Sequence, residues 1–344
     1  MPNDITLIDL SAAESGDTDA LAALRHAGED LGIVQVVGHG VPQELIDDFH
    51  DRIGAVLALP RDEKIPLASP TGHPYRGWRQ WPDDFGRLEL ERFTIGQYDS
   101  VAEAVADGLD EKYAADFAHP NVWPTDELRT AARAYHEAAR LVARRVLALY
   151  ARALDVDPGV FPVGDGPDHT QFVVNNYPTW TSDDGGSTDP EAGDDERKLL
   201  LLEHADGSVL TVLHQRGDYD GLQGQRADGS WVPVPIVPGA LQVFTGSLLT
   251  RWTNGRLRPG RHRVVAGGTV TRLSSGVFWH PRVDTVIEPL APFVEAGEEP
   301  EFDPVLIWDT VSDRVEEYLR VFGRPDQIAA WREGRPYVAA LADA

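Results

Sequence analysis

The sequence predicts a mostly β protein, with a jelly-roll or barrel core and helices packed around it. Residues 171–281 carry short apolar runs separated by turn signals, of which Asp228-Gly229 is one. Just before this region, residues 126–154 keep a helical spacing of apolar side chains, which predicts one long helix or two in succession. The opening of the chain alternates short strand and helix patterns, so an α/β region is expected beside the β core.

The elements of the opening region follow from the spacing of its apolar residues. Strands are predicted over 5–10 and 33–37, and helices over 19–31 and 41–59. Residues 60–81 are rich in glycine, proline and aromatic residues, which favours a loop that lines a site. Residues 303–342 return to helical spacing and are expected to pack across the β core or its mouth.

Three regions result from this division of the chain. Residues 1–120 form the expected N-terminal α/β region, 121–290 the helix and β core, and 291–344 a C-terminal helical extension. Within the core, residues 183–196 are rich in aspartate and glycine and too polar to pack, so a mobile surface loop is expected there. This loop could act as a lid or be a simple insertion.

The composition excludes several classes of function. A net charge of −25 disfavours nucleic acid and anionic membrane surfaces as partners, whereas small or partly cationic substrates are easier to accommodate. Because the chain has no cysteine, any metal must be held by imidazole and carboxylate groups. The absence of a signal-peptide pattern or a long apolar stretch predicts a soluble cytoplasmic enzyme. Whether it is a monomer or a homo-oligomer is left open.

Three residues have the types and positions expected of a metal site. His204 and Asp206 follow the apolar run 199–202, and on a strand two residues so spaced point to one face. His262 comes later, just beyond a turn. Two histidines and one aspartate occupy one face of an octahedral metal and leave three adjacent positions open, as in non-haem iron(II) oxygenases. A lone His-x-Asp pair is common by chance, and a single histidine is more often structural.

A second pair, Arg272 and Ser274, also has the spacing of one strand face. An arginine directed into a barrel needs an anion, because an unpaired buried guanidinium is costly. Two parallel hydrogen bonds from Arg272 and a third from Ser274 would hold a carboxylate in a way that lysine cannot reproduce. The pair therefore predicts a site for a dicarboxylate, and the alternative is a structural salt bridge to one of the many acids.

Seven short motifs span most of the chain. They are, in order, 32–42 (GIVQVVGHGVP), 121–124 (NVWP), 175–178 (NNYP), His204-x-Asp206, 252–255 (WTNG), 262–264 (HRV) and Arg272-x-Ser274. Together they resemble the isopenicillin-N-synthase-like branch of the 2-oxoglutarate/Fe(II) dioxygenases. The resemblance implies a double-stranded β-helix of the jelly-roll type with the N-terminal helices packed outside. It also implies that His204, Asp206 and His262 are the iron ligands.

The same resemblance implies how the co-substrate is held. Arg272 and Ser274 match the grip on the distal carboxylate of 2-oxoglutarate, while Tyr177 and Asn175 match positions near the other end of the co-substrate. With O2, this chemistry oxidises a small molecule as 2-oxoglutarate is decarboxylated to succinate. Hydroxylation is the default outcome, with desaturation, ring expansion, epoxidation or cyclisation as alternatives. A role in specialised metabolism such as antibiotic biosynthesis is expected.

The substrate wall is the least determined part of the site. Arg76, Trp78, Phe93 and Phe278 are candidates, taken from the aromatic segment, the strand after it and the strand that follows Ser274. Each could instead serve core packing.

Departures from the family pattern affect the substrate more than the metal chemistry. Residues 183–196 are longer than the connection in many relatives, and Asp220 stands where relatives often have glycine. Because Asp206 is present, the open metal position of halogenating relatives is not expected. Arg272 with Ser274 makes a 2-oxoglutarate-independent oxidase the less favoured relative. Two other classes remain as alternatives, namely a zinc-dependent hydrolase and a non-catalytic jelly-roll binding module.

Overall fold

Fourteen strands and eight helices are described in this computed structural model, which covers residues 5–71, 73, 75–81, 90–164, 166–177, 179, 199–217, 221–267 and 271–311. The strands are β1 (Leu7–Asp9), β2 (Ile33–Val37), β3 (Gly77–Trp81), β4 (Leu90–Gly96), β5 (His169–Tyr177), β6 (Leu199–His204), β7 (Leu210–Arg216), β8 (Leu222–Gln225), β9 (Trp231–Pro233), β10 (Leu241–Thr245), β11 (His262–Val265), β12 (Arg272–His280), β13 (Val286–Ile287) and β14 (Val305–Leu306). The helices are α1 (Leu10–Glu14), α2 (Thr18–Asp30), α3 (Gln43–Leu57), α4 (Arg61–Lys64), α5 (Val101–Ala106), α6 (Glu111–Phe117), α7 (Asp126–Ala153) and α8 (Ser247–Trp252).

Two sheets form the β core. The larger has eight strands in the order β1-β2-β10-β7-β12-β5-β4-β3, and the smaller has four in the order β6-β11-β8-β9. Apart from the parallel pair β1 and β2, the neighbouring strands of these two sheets are antiparallel. Tyr177 and Phe244 of the larger sheet belong to one buried apolar cluster with Leu200 and Val264 of the smaller. The two sheets therefore pack face to face, as expected for a double-stranded β-helix.

The other face of the larger sheet is covered by helices. The 28-residue helix α7 is capped at its N-terminus by Thr125, whose side chain accepts a hydrogen bond from the Leu128 amide at 3.1 Å. Asp126 and Glu127 in its first turn interact favourably with the positive end of the helix dipole. The helix packs against α2 and α3 and against strands β7 and β12. This helical layer and the sheet share the largest apolar core.

Most elements with a strong hydrophobic period lie where the sequence predicts them. The strand over 33–37 is confirmed, the helix over 19–31 is α2, and the helix over 41–59 is α3. Residues 126–154 form a single helix rather than two. The strand over 5–10 is shorter than predicted, because Asp9 accepts hydrogen bonds from the Ser11 and Ala12 amides and starts α1.

Other expectations are wrong or lie outside the described residues. The segment 60–81 is not a simple loop, since it contains α4 and ends in β3, an edge strand of the larger sheet. The β-rich region also contains the helix α8. The segment 183–196 falls outside the described residues, as does most of 303–342. The division of the chain at residues 120 and 290 stays a prediction, and strands from both sides of residue 120 lie in one sheet. Within the part of the chain that is described, no helix is long and apolar enough to span a membrane.

Candidate active site

Three side chains from the smaller sheet and the turn after it form a compact group. The ligand atoms of His204, Asp206 and His262 all lie within 4.8 Å of one another, and no other such group occurs among the described residues. Asp206 Oδ1 is 3.7 Å from His204 Nε2 and 4.0 Å from His262 Nε2. The two histidines are cross-strand partners on β6 and β11, with ring centroids 4.2 Å apart. Because β6 ends at His204, Asp206 reaches the group from the following turn and not by strand alternation, which corrects the expected geometry.

The outer nitrogen of each imidazole is bound to the backbone. His204 Nδ1 lies 2.8 Å from the Leu202 carbonyl oxygen, and His262 Nδ1 lies 2.9 Å from that of Gly260. A carbonyl oxygen only accepts, so each Nδ1 carries the proton and each Nε2 keeps a lone pair for a metal. These carbonyls also fix the orientation of the rings, as the partners of metal-binding histidines commonly do. The group therefore fits a divalent metal ion.

The loop that carries Asp206 is held by three successive backbone carbonyls. The hydrogen bonds run from Ser247 N to Asp206 O at 2.8 Å, from His280 Nε2 to Gly207 O at 3.1 Å and from Leu248 N to Ser208 O at 3.1 Å. The first turn of α8 and the end of β12 thus position the aspartate from two sides.

The contact between this loop and α8 is unusually close at Gly246. A Cβ atom placed on Gly246 would lie 1.9 Å from the Ser208 carbonyl oxygen and 2.8 Å from the Ser208 hydroxyl. A Cβ atom and a carbonyl oxygen cannot approach that closely, so the backbone on one side would have to move. Glycine is therefore needed at 246 for close approach, although its φ of −84° is open to any residue.

An almost completely buried arginine lies on β12, in the larger sheet. This sheet packs against the smaller sheet, which carries the two histidines. Arg272 is 1 % exposed, its Nη2 donates to Gln215 Oε1, and its guanidinium carbon is 4.8 Å from the centre of the Tyr177 ring. Within the described residues, Arg272 Nε and Nη1 have no hydrogen-bond partner, nor has Gln215 Nε2. Buried donors without partners are costly. The arrangement fits a carboxylate, which accepts two parallel hydrogen bonds from one guanidinium.

The remaining expected co-substrate residues lie beside this arginine. On β5, Tyr177 is the cross-strand partner of Arg272, and Asn175 is the partner of Ser274. Asn175 Nδ2 is 3.4 Å from the Tyr177 hydroxyl. Tyr177 and Ser274 are almost fully buried. The structure therefore brings together all four residues of the expected grip.

Arg272 and the group of His204, Asp206 and His262 belong to the two sheets that pack against each other. Phe244 of the larger sheet lies 4.7 Å from the His262 ring, measured between ring centres. Phe244 and Tyr177 belong to the same apolar cluster between the sheets.

Comparisons with known proteins agree with this arrangement. Residues 169–281 match the model of the 2OG-Fe(II) oxygenase superfamily, and residues 5–126 match that of the non-haem dioxygenase in morphine synthesis N-terminal family. The 2-oxoglutarate-dependent dioxygenase 19 of Oryza sativa subsp. japonica is 30 % identical over 307 residues, which cover 87 % of this chain and 82 % of the rice protein. The chain belongs to the 2OG-Fe(II) oxygenase superfamily.

Two further comparisons extend the likeness of this oxygenase over nearly its whole length. The 2-oxoglutarate-Fe(II) type oxidoreductase hxnY of Emericella nidulans is 28 % identical over 340 residues, covering 93 % of this chain and 91 % of the relative. The crystal structure of the dioxygenase for auxin oxidation in rice has a TM-score of 0.68 at 25 % identity. It covers 98 % of this chain and 99 % of the auxin dioxygenase. The oxygenase is thus a jelly-roll dioxygenase that uses iron(II), 2-oxoglutarate and O2 on a small molecule.

The structure separates the four candidates for the substrate wall of the oxygenase. Phe278 is half-buried and lies on the same face of β12 as Ser274. Trp78 and Phe93 are cross-strand partners on the opposite face, which the register with β5 and β12 relates to Ser275. Both are buried in the core shared with the helices. We therefore assign Trp78 and Phe93 to core packing. The sequence alone could not tell which face of the sheet they occupy.

Arg76, the fourth candidate, has a structural environment. Its guanidinium donates to the backbone carbonyls of Tyr75, Phe117 and His119. It lies directly against Gly96, where a Cβ atom would meet its Nη2 at 2.1 Å. Arg76 thus joins the end of α6 to strand β4, and we do not include it in the substrate wall.

Sequence reasoning missed three residues that the structure places at or near the site. Gln215 contacts Arg272, His280 supports the loop of Asp206, and Arg92 donates from Nε to Asn175 Oδ1 at 2.8 Å. Each acts across strands that are distant in sequence. The alternation of side chains along β7 indicates which face of the strand Gln215 occupies, but it does not indicate the partner of Gln215.

Proposed function

We propose that His204, Asp206 and His262 hold iron(II) in this oxygenase, and that Arg272 and Ser274 bind the distal carboxylate of 2-oxoglutarate. The observation that carries the proposal is the buried Arg272, which has two donors without partners in an interior that also contains a compact His-Asp-His group. A zinc hydrolase would have no use for such an arginine. A non-catalytic jelly roll would need no metal group.

Each proposed residue has a defined role. Iron(II) held there would supply the redox chemistry that couples O2 to oxidation of 2-oxoglutarate and of the substrate. His204 and His262 provide neutral Nε2 lone pairs, and Asp206 provides one carboxylate oxygen and a compensating charge. The Nδ1 atoms of both histidines donate to backbone carbonyls, and the backbone carbonyl of Asp206 accepts from the Ser247 amide. Little rearrangement is therefore needed when a metal binds.

The co-substrate grip is the second part of the proposal. Arg272 donates two hydrogen bonds to the distal carboxylate, Ser274 donates a third, and the ring of Tyr177 packs against the guanidinium. Tyr177 and Asn175 also limit the space along the co-substrate. Burial of Arg272 and Ser274 excludes water, which strengthens these charged hydrogen bonds.

We infer that the oxygenase hydroxylates its prime substrate by default. Desaturation, ring expansion, epoxidation or cyclisation would follow if the substrate were held differently. Phe278, half-buried on the inner face of β12, is proposed as one wall of the substrate space.

The proposal is tested by binding and turnover together. Iron(II) and then 2-oxoglutarate are added without O2, and the metal-to-ligand charge-transfer absorption is recorded. O2 is then admitted and succinate is measured. We expect the absorption and slow succinate release in the wild type, and neither in His204→Ala or His262→Ala. His26→Ala, on an exposed part of α2, is the matched control and should behave as wild type.

Two outcomes would contradict the proposal. Wild-type iron affinity in both His204→Ala and His262→Ala would remove the metal assignment. Iron binding without any response to 2-oxoglutarate would instead favour a 2-oxoglutarate-independent oxidase.

A further inference from the structure

The end of helix α2 lies against the short segment that leads into β11 and His262. The Gly32 amide donates to the Ala27 carbonyl at 2.8 Å and ends the helix in the left-handed conformation, with a φ of +69°. The Gly32 carbonyl accepts from the Thr245 amide at 2.8 Å, at the end of β10. Gly32 begins the sequence motif 32–42, and none of the residues of this motif is a proposed ligand of the metal or the co-substrate.

Gly32 and Gly260 approach each other more closely than side chains allow. A Cβ atom on Gly32 would lie 2.6 Å from both the Gly260 amide nitrogen and the Arg258 carbonyl oxygen. In the reverse direction, a Cβ atom on Gly260 would lie 2.5 Å from the Gly32 carbonyl oxygen. These neighbours are backbone atoms, which cannot turn away as the end of a flexible side chain can. The two glycines therefore set the distance between the end of α2 and the segment before His262.

Backbone hydrogen bonds connect this junction to the imidazole of His262. The Gly260 amide donates to the Thr245 carbonyl at 2.8 Å. The Gly260 carbonyl accepts from His262 Nδ1 at 2.9 Å. This last hydrogen bond orients the ring and keeps the Nε2 lone pair for a metal. A displacement of Gly260 would therefore turn the ring of His262.

The peptide group between Thr245 and Gly246 also holds the loop of Asp206. Its oxygen, on Thr245, accepts from the Gly260 amide. Its nitrogen, on Gly246, donates to the Val209 carbonyl oxygen at 3.0 Å, just after the loop. Because a peptide group is planar, these two hydrogen bonds have fixed directions relative to each other. The supports of two proposed metal ligands therefore meet at one rigid group.

We propose that Gly32 is a positioning residue for the metal centre, which seats the end of α2 against Gly260 and thereby orients the His262 imidazole relative to Asp206. The inference rests on the proposed function, because it takes His262 and Asp206 as metal ligands. It extends that function to a helix end that is remote from both ligands in sequence. The glycine that begins the motif is thus required by the metal centre as well as by the turn after α2.

Gly32→Ala is compared with a control that has the same backbone strain. Gly40 belongs to the same motif and has a φ of +76°, but among the described residues no atom lies within 4 Å of a Cβ atom placed on it. Gly40→Ala therefore strains the backbone without displacing the segment before His262. Gly260→Ala is the second test variant, because it presses on the same contact from the other side and its own φ lies outside the left-handed region.

Cobalt(II) in place of iron(II) gives a readout that does not depend on turnover. Cobalt(II) is paramagnetic, so the Nδ1 protons of its histidine ligands give strongly shifted proton NMR signals that disappear in D2O. The wild type should show two such signals, from His204 and His262. They are told apart by the rate of exchange, because the His262 side chain is 8 % exposed and that of His204 is 39 % exposed.

The expected result is selective for one ligand. In Gly32→Ala and Gly260→Ala the His262 signal should shift, because only His262 is bound to the Gly260 carbonyl, while the His204 signal stays in place. Cobalt affinity should fall about tenfold or more, the usual effect of disturbing a partner of a metal-binding histidine. Gly40→Ala should keep both signals and the affinity of the wild type.

The other outcomes overturn the inference or the proposed function separately. An unchanged His262 signal in both Gly32→Ala and Gly260→Ala, or the same change in Gly40→Ala, overturns the positioning role and leaves the proposed function standing. If neither Gly32→Ala nor Gly260→Ala folds, as judged by far-UV circular dichroism, the contact serves the fold and the positioning role is also overturned. If wild-type protein binds no cobalt(II) through two histidines, the proposed function fails first.

Discussion

Arg272 combines two properties that are rarely found together in one side chain. It is almost completely buried, and yet two of its donors have no partner among the described residues. Gln215 and the Tyr177 ring hold the guanidinium from two sides, so it stays oriented before any ligand arrives. Such preorganisation raises affinity because less side-chain freedom is lost on binding.

Replacing this arginine is expected to affect the co-substrate selectively. Truncating one partner of a buried charged pair costs about 2 to 5 kcal/mol. Arg272→Lys should therefore raise the KM for 2-oxoglutarate by roughly 30-fold or more, since a factor of ten corresponds to about 1.4 kcal/mol. Ser274→Ala removes one hydrogen bond to a charged group, worth about 1.5 to 3 kcal/mol, and should give a smaller defect.

Steady-state kinetics with varied 2-oxoglutarate measure both effects, and iron titration serves as the control. Iron affinity should barely change, because neither residue is a proposed metal ligand. A KM within about twofold of wild type in Arg272→Lys would contradict the co-substrate assignment.

A second prediction concerns Gly246, where alanine would add a single Cβ atom. In Gly246→Ala the new Cβ would collide with the Ser208 carbonyl, so the loop of Asp206 or the first turn of α8 must move. Overpacking of this kind costs typically about 1 to 3 kcal/mol. We expect at least a tenfold loss of iron affinity together with a lower free energy of unfolding.

Gly54→Ala in α3 is the matched control for this glycine. Its Cβ would make an ordinary contact with Leu273 at 3.4 Å. Alanine within a helix should stabilise by roughly 0.5 to 1 kcal/mol and leave iron binding unchanged. Iron titration and chemical unfolding of both variants provide the comparison. Equal iron affinity in Gly246→Ala and wild type would show that the loop tolerates the displacement.

At the scale of elements, strong local patterns are predictable from sequence and pairing across the sheet is not. Strand β2 is a short run of mainly β-branched apolar residues and helix α7 carries a long, regular apolar period, and both lie where the sequence predicts them. Strand β3 was missed because Gly77 and the aromatic residues around it resemble a loop, and only its pairing with β4 makes it a strand. Helix α8 has six residues, too few for a recognisable period.

The same limit applies to the candidate site. His204-x-Asp206 and Arg272-x-Ser274 are recognisable because each pair has a local spacing, and His262 is recognisable because it lies in a short motif in the order of the resembled family. The faces occupied by Trp78 and by Gln215 depend on strand register, which is set by partners far away in the chain.

The interface between α3 and the larger sheet contains a chain of buried polar groups. His50 Nδ1 is 2.7 Å from the Ile46 carbonyl and donates to it. His50 Nε2 then accepts from Ser275 Oγ at 3.0 Å and lies 3.2 Å from His214 Nδ1. Burial lowers the pKa of His50 to about 4 and that of His214 to about 3, the latter also because of His50.

These lowered pKa values predict a loss of stability in acid. Below an ordinary histidine pKa of about 6.5, the unfolded chain binds protons that the folded chain does not bind until pH reaches about 4 or 3. The free energy of unfolding should therefore fall as pH decreases through this window, by up to about 1.4 kcal/mol per pH unit for each histidine.

The contribution of one histidine is measured by replacing it. His214→Gln should reduce the pH dependence of the unfolding free energy between pH 6 and pH 4.5, as determined by urea titration. Tyr135→Phe removes a hydroxyl from the same network, without removing an imidazole, and should lower stability by about 1 kcal/mol at every pH. Parallel pH profiles for His214→Gln and wild type would refute this origin of the acid sensitivity.

For the whole molecule, the apolar core and the proposed ligand site are separate sources of stability. The helical layer and the larger sheet share an extensive buried cluster, while His204, Asp206 and His262 belong to the smaller sheet and the turn after β6. The fold should therefore persist without iron or 2-oxoglutarate, although both stabilise it by mass action.

Ligand removal tests this separation. At a free concentration about 100 times its Kd, a ligand that binds only the folded state adds about 2.7 kcal/mol to the free energy of unfolding. We expect iron(II) with 2-oxoglutarate to raise Tm, and a chelator to return Tm to the lower value with the far-UV circular dichroism of a folded chain. Unfolding on chelation alone would mean that the metal is part of the structural core.

The two-sided pattern of β12 has a consequence for how this chain can change in evolution. Arg272, Ser274 and Phe278 face the interior, whereas Ser275 and Trp279 face the helices. Loss of a single residue within the strand would move the residues on one side of the deletion to the opposite face. Either the Trp279 indole would enter the space lined by Phe278, or the Arg272 guanidinium would be buried beneath the helices. Insertions and deletions should therefore accumulate in the connections between strands, while β12 keeps its length.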